Sequence, residues 1–220
     1  MFESVLRIMS GKFITFEGPE GCGKSTQIKL LAEKLIAQDI KVACTREPGG
    51  TAAGEAIRNI LQHDPAGEAL TDRAELLLFT ASRAQLMDQK ILPALENGDW
   101  VLCDRFIDST MAYQGFARGM DIETLNRINE FAIYEHKPDL TVLLDLDVER
   151  GFQRLEERYA DGSGSHDRFE REARGFHQKV REGYHKLAER EPKRFRIVNS
   201  DRPIEEVSAD IWCAVKGALL

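Results

Sequence analysis

The chain has 220 residues, 42% of them hydrophobic and 30% charged, with four cysteines. That composition is ordinary for a globular protein and excludes disordered, collagen-like and disulfide-scaffold classes. Thirty Lys and Arg against 37 Asp and Glu leave a formal charge of −7, which argues against indiscriminate binding to nucleic acid or to anionic membranes.

The N-terminal stretch MFESVLRIMSGKF lacks a signal-peptide core and carries Glu3. The first periodic segment starts only at Lys12, which makes Met9 a candidate initiator. Residues 12–17 (KFITFE) read as a strand. Residues 24–37 carry Ile28, Leu31, Leu35 and Ile36, a stripe of helical period. Residues 40–45 are the next strand, and 52–61 and 72–96 are helical. Residues 100–103 (WVLC) form a buried strand, followed by a helix over 125–134. A fully apolar strand spans 140–146, with helices over 148–159 and 170–191. A last strand (194–198) and a last helix (203–218) close the chain, the helix with Pro and Glu in its first turn.

Apolar strands separated by helices predict a parallel sheet covered on both faces. Five strands fit one α/β domain spanning 1–220. The one low-complexity piece, 160–166 (ADGSGSH), is either a plain connection or a mobile lid. No stretch reaches the roughly 20 apolar residues of a membrane span. Cys22, Cys44, Cys103 and Cys213 form no CxxC pair and read as free thiols of a reducing cytoplasm. The five histidines show no metal-ligand spacing.

The strongest motif is GPEGCGKS, residues 18–25, which fits GxxxxGK[ST] between a strand and a helix. Its glycines turn backbone N–H groups around phosphate oxygens, and the helix N-terminus adds positive potential. Gly18, Pro19, Glu20, Gly21, Cys22, Gly23, Lys24, Ser25 and Thr26 are therefore the expected ATP cradle. Lys24 is the point charge on the β/γ-phosphates, and Ser25 is a ligand for Mg²⁺. Cys22 reads first as a small residue fitting the turn, and secondly as a thiol drawn toward thiolate by the helix terminus.

Such a loop serves switches, motors and small-molecule kinases. No guanine-reading NKxD sequence is present, and the chain is short for a motor. A kinase needs a second cationic and aromatic set for its acceptor, and one follows. Arg46-Glu47-Pro-Gly-Gly-Thr51 comes after the second strand, and Phe79 and Arg83 share a helix face. Asp104-Arg105 ends the third strand, and Tyr113-Gln114-Gly115 comes next. The C-terminal ends of the strands bring these segments to one crevice. Asp145 and Asp147 are a second choice of metal carboxylate behind Asp104.

GPEGCGKS, TREPGGT, LLLFTASRAQL, DRFIDSTMAYQG and DRFE, in this order over nearly the whole chain, resemble bacterial thymidylate kinases. The resemblance implies a P-loop NTPase three-layer sandwich and the reaction ATP + dTMP to ADP + dTDP with Mg²⁺. Kinases for another nucleoside monophosphate, and a nucleotide-binding module without turnover, are the rival readings. By position, Phe79 stacks on thymine, Arg83 donates to its edge and Gln114 faces it. Tyr113 lies against the deoxyribose. Arg105 grips the acceptor phosphate, with Arg58 as a further candidate, and Ser109 and Thr110 fall in the acceptor site. Asp104 orders the metal, and Glu17 and Glu47 lie near sugar and metal. None of the loop's variable positions is Arg, so the resemblance moves the transition-state cation to a lid at about 150–170, where Arg154, Arg158 and Arg168 are expected to close over ATP. Arg150 reads as part of a solvated face. A homodimer is implied as well.

Overall fold

The computed structural model describes residues 11–63, 65, 67–160 and 167–220. Met9 and most of the 160–166 loop lie outside them. Five strands form one sheet: β1 (Phe13–Glu17), β2 (Val42–Arg46), β3 (Trp100–Asp104), β4 (Leu140–Asp145) and β5 (Phe195–Asn199). Their order is β2-β3-β1-β4-β5, and every neighbouring pair is parallel. The three central strands are largely apolar and buried because helices cover both faces. The edge strands β2 and β5 are half-buried. Where a polar pair falls inside, it is satisfied internally: Thr15 and Thr141 share a hydroxyl hydrogen bond of 2.9 Å.

One face is covered by α1 (Lys24–Ile36) and α9 (Ile204–Leu219), with Ile28, Leu31 and Leu35 in one cluster with Val207, Ile211 and Val215. The other carries α3 (Asp72–Leu86), which continues through a π-helical turn into α4 (Leu92–Glu96), and α6 (Ile122–Ile133). Between β3 and α6, α5 (Ile107–Thr110) runs into a second π-helical stretch, Met111–Ala117. It packs against α8 (Arg174–Arg190). Helices α2 (Ala52–His63) and α7 (Val148–Tyr159) flank the strand ends. No described helix is long and apolar enough to cross a membrane.

The α/β alternation follows the sequence pattern, with informative departures. The helix through 107–117 was not predicted. Among its buried residues Asp108, Thr110 and Gln114, each 2% exposed or less, interrupt the apolar Ile107, Met111, Ala112 and Tyr113, so no clean apolar stripe marks it. Arg194 explains the choice: its guanidinium holds the Asp108 carboxylate at 2.6 and 2.8 Å and pins α5 to the sheet. Helix α6 starts at Ile122 rather than 125 because the Asp121 side chain accepts from Thr124 N at 2.8 Å, capping the end. Helix α8 starts at Arg174 rather than 170. The Asp167 carboxylate accepts from the amides of Phe169 and Glu170, turning the chain before the helix.

Candidate active site

The C-terminal ends of β1, β2 and β3 open into a cleft of about 500 Å³. Its floor is the loop from β1 to α1. Gly18 (φ +140°) and Gly21 (φ +72°) need their missing side chains. A Cβ would sit 2.3 Å from the Leu144 carbonyl in the first case and 2.4 Å from the Gly151 carbonyl in the second. The second contact brings α7 against the loop and puts the Arg154 guanidinium 3.4 Å from the Gly21 carbonyl. Lys24 folds its ammonium back over the loop, 3.1 Å from the Pro19 carbonyl and 3.3 Å from that of Gly18. Ser25 donates to Asp104 Oδ2 at 2.9 Å across from the end of β3. Thr26 lines the cleft as well. Cys22 is buried, and burial pushes its thiol up despite the nearby Lys24 and Arg105, so the thiolate reading is set aside.

Arg105 follows β3 with φ +68°, which turns its side chain under the loop. Its guanidinium donates to Glu20 at 2.6 Å and to Gly18 O, Ser109 and Tyr184 at 3.2–3.3 Å. It also lies 5.1 Å over the Tyr113 ring. The Tyr113 hydroxyl donates to the same Glu20 oxygen at 2.8 Å. Burial works against the Glu20 carboxylate, but Arg105, Lys24 and the Tyr113 hydroxyl outweigh it and hold it at about 2.

Several expected site residues fall elsewhere. Glu17 is not in the cleft lining; it is fully buried beneath Arg105, accepting from Phe106 N at 2.8 Å, Ser109 at 2.6 Å and Tyr184 at 2.9 Å. Burial, then the charge of Asp108, pushes its carboxyl to about 7. A carboxyl that binds its proton more tightly when folded loses stability as pH rises from its unfolded value of 4.5 through about 7. Glu17→Gln removes that titration. Between pH 5.5 and 8, wild type is expected to lose about 2 kcal/mol more than the variant in urea unfolding. Equal losses would dismiss the idea.

Arg83 lines the cleft, but its five N–H groups are all engaged. They go to Glu47 (2.5–3.0 Å), Thr110 (3.0 Å), Asn129 (2.7 Å) and the Phe106 carbonyl (3.1 Å). The expected donor to a base edge is here a buried anchor, because a carboxylate as secluded as Glu47 needs a full partner. Glu47 is correspondingly occupied with Arg83 rather than open to a metal. Arg168 does not face the loop either. It donates to the Leu61 carbonyl at 2.8 Å and to Glu75 at 2.6 Å, drawn to a carboxylate that is 1% exposed. Asp145 is held by Arg181 and His185, away from the cleft, and Asp147 caps α7. Arg150 pairs with Asp201 and Gln153.

The rest converge. Phe79 faces into the cleft beside Phe169, with ring centroids 5.6 Å apart. Arg58 donates to the Pro48 carbonyl at 2.9 Å. Ser109, Thr110, Tyr113 and Gln114 line the same cleft, and so do Arg154 and Arg158. Arg158 reaches Tyr159 at 3.2 Å and Glu170 at 3.3 Å. Sequence reading missed Tyr184, Glu75, Phe169 and Glu170. Phe169 and Glu170 sit in the DRFE segment, whereas Tyr184 and Glu75 are marked by no motif and meet the site only through the fold.

The site combines a phosphate-cradling loop with a cationic and aromatic wall for a second ligand. Comparison with known proteins gives the same picture. The family model described as thymidylate kinase matches residues 16–211. The thymidylate kinase of Halothermothrix orenii is 49% identical over 212 residues, covering 96% of this chain and all of the relative. That of Pelotomaculum thermopropionicum is 50% identical over 211 residues, covering 96% and 95%. The crystal structure of thymidylate kinase from Ehrlichia chaffeensis superposes with a TM-score of 0.73 at 33% identity, over 94% of this chain and 98% of that one. Motif order, fold and full-length similarity agree, and the chain belongs to the thymidylate kinase family.

Proposed function

We propose that the protein transfers the γ-phosphoryl group of ATP to dTMP, giving ADP and dTDP. The observation that carries this reading is that one cleft holds both the Lys24 loop and the wall of Phe79, Arg105 and Tyr113. Phosphoryl transfer asks little covalent chemistry of the protein; it asks for alignment and charge neutralisation. Lys24 serves the ATP phosphates. Arg105, pre-oriented by Glu20 and Ser109, and Arg58 serve the acceptor phosphate. Phe79 gives the base a stacking face, and Tyr113 sits where a deoxyribose would pass between base and phosphate. An ADP-release assay with dTMP, dUMP, UMP, CMP and AMP tests the reading. Preferred turnover of dTMP supports it; preference for AMP or CMP, or no turnover with any acceptor, overturns it.

Ser25 and Asp104 suit Mg²⁺: two hard oxygen donors stand 2.9 Å apart at the mouth of the loop. Among the described residues no cluster of three or more His, Cys, Asp or Glu competes for a metal. Bound there, Mg²⁺ would neutralise charge on the β- and γ-phosphates.

Arg154 and Arg158 are the lid cations, within a single α/β domain; residues 161–166 of the expected lid lie outside the described residues. Arg158→Ala should lower kcat about a hundredfold while leaving dTMP affinity within about twofold. Its side chain is 57% exposed and reaches Tyr159 and Glu170 rather than Phe79, Arg105 or Tyr113, so the chief loss is the charge brought to the transferring phosphoryl. Stopped-flow turnover and a dTMP titration check both halves. The protein acts as a homodimer in the cytoplasm. The exposed Leu77 of α3 and Phe131 of α6, the latter 85% exposed, with Tyr134 just beyond, offer the apolar surface. Light scattering should give twice the single-chain mass.

A further inference from the structure

The geometry points to Glu75 as a positioning residue that sets which end of the Gln114 amide faces the cleft, and so as a hidden determinant of base selection. This rests on the reading of the cleft as a dTMP site. A side-chain amide has a donor end and an acceptor end, which exchange on a flip. A carboxylate can only accept. Gln114 Nε2 lies 2.7 Å from Glu75 Oε1, so the amide's donor end is committed to Glu75. Both side chains are buried, each residue 1% exposed. Gln114 lines the cleft, and among the described residues its carbonyl oxygen takes no hydrogen bond from the protein. The group presented to a base is therefore an acceptor.

Glu75 is kept ionised for this task. Arg118 donates to its two oxygens at 2.8 and 3.0 Å, and Arg168 donates at 2.6 Å. Burial would raise the carboxyl, but the hydrogen bonds from Arg118 and Gln114 and the charges of Arg118 and Arg168 outweigh it and hold it below the ordinary range. Turning the amide over would set its oxygen against the Glu75 carboxylate, with no proton between them. Thymine carries an N–H at N3, which matches the presented acceptor. Cytosine carries a lone pair there, which meets another lone pair or forces the flip. An acceptor left unpaired in a closed site is what makes such selection strong.

The test is the ratio of kcat/KM for dTMP over dCMP in wild type, Glu75→Gln, Gln114→Leu and the double variant. Glutamine at 75 can donate or accept, so the flip costs little. The ratio in Glu75→Gln should fall roughly tenfold or more. In the Gln114→Leu background the same change should have no further effect, because Glu75 then has no amide to orient. A Glu75→Gln ratio within about twofold of wild type, or a full effect persisting without Gln114, overturns the assignment. A general loosening of the fold would lower both substrates together and leave the ratio unmoved, which also overturns it. Should Glu75→Gln not fold, wild type decides by titration. The 3-deaza analogue of dTMP, which lacks the N3 proton, is expected to bind about tenfold more weakly than dTMP, and equal affinity overturns the assignment. If wild type turns over no dTMP at all, it is the functional reading that fails.

Discussion

Lys24→Met should lower kcat about a thousandfold while leaving the fold and dTMP affinity nearly intact. The reason lies in what the ammonium touches. It stands over its own loop, 3.1–3.5 Å from two carbonyls and the Cys22 sulfur. These are neutral partners. Removing the cation leaves Glu20, which Lys24 helps to hold ionised, with Arg105 at 2.6 Å and the Tyr113 hydroxyl at 2.8 Å. The folding cost is then about 1 kcal/mol, one or two weakened hydrogen bonds. The catalytic cost would be larger, because negative charge on the transferring group is most spread out in the transition state and Lys24 would be its fixed counter-charge in the proposed reaction. In the proposed reaction acceptor affinity would depend instead on Phe79, Arg105 and Tyr113. ADP release and a calorimetric dTMP titration separate the two. A variant within tenfold of wild-type kcat would show that the lid arginines, not Lys24, carry the neutralisation.

How far this was legible in the sequence depends on whether a residue's partner is local. The cradle was, because a glycine turn between strand and helix writes itself into eight consecutive positions, 18–25. The sheet was too, because buried parallel strands read as apolar runs. The long-range polar contacts were not. Arg83 and Phe79 share a helix face, and nothing in that spacing says that Glu47, 36 residues away, claims the guanidinium. Arg168 follows the lid loop as a lid cation should, yet Glu75, 93 residues away, holds it. In both cases a buried carboxylate claims the guanidinium, and burial is a property of the fold alone. The helix through Gln114 stayed hidden for a related reason: its buried side mixes paired polar residues (Asp108, Thr110, Gln114) with Ile107, Met111, Ala112 and Tyr113, which blurs the usual apolar period.

The Arg83–Glu47 pair carries the largest expected effect on stability. Side-chain exposure is 1% for Arg83 and 3% for Glu47, and Arg83→Met leaves the carboxylate with no cation beside it. Breaking one side of a buried pair costs about 4 kcal/mol at pH 8. The pH dependence identifies the cause. Burial already pushes the Glu47 carboxyl up against the pull of Arg83, and without Arg83 it rises further. A folded-state carboxyl raised above its unfolded value gains stability as pH falls below it. The deficit of Arg83→Met relative to wild type should therefore shrink between pH 8 and pH 5. A deficit equal at both pH values would mean lost packing and unpaired Thr110 and Asn129 groups, not a stranded charge. Arg83→Met combined with Glu47→Gln removes the charge altogether. Its stability should lie above that of the single variant at pH 8 and should change with pH no more than the loss Glu17 imposes on all three proteins, because neither partner of the pair then titrates. Urea unfolding of the three proteins at the two pH values settles whether Arg83 is the electrostatic anchor that holds the TREPGG turn against the base wall of the cleft.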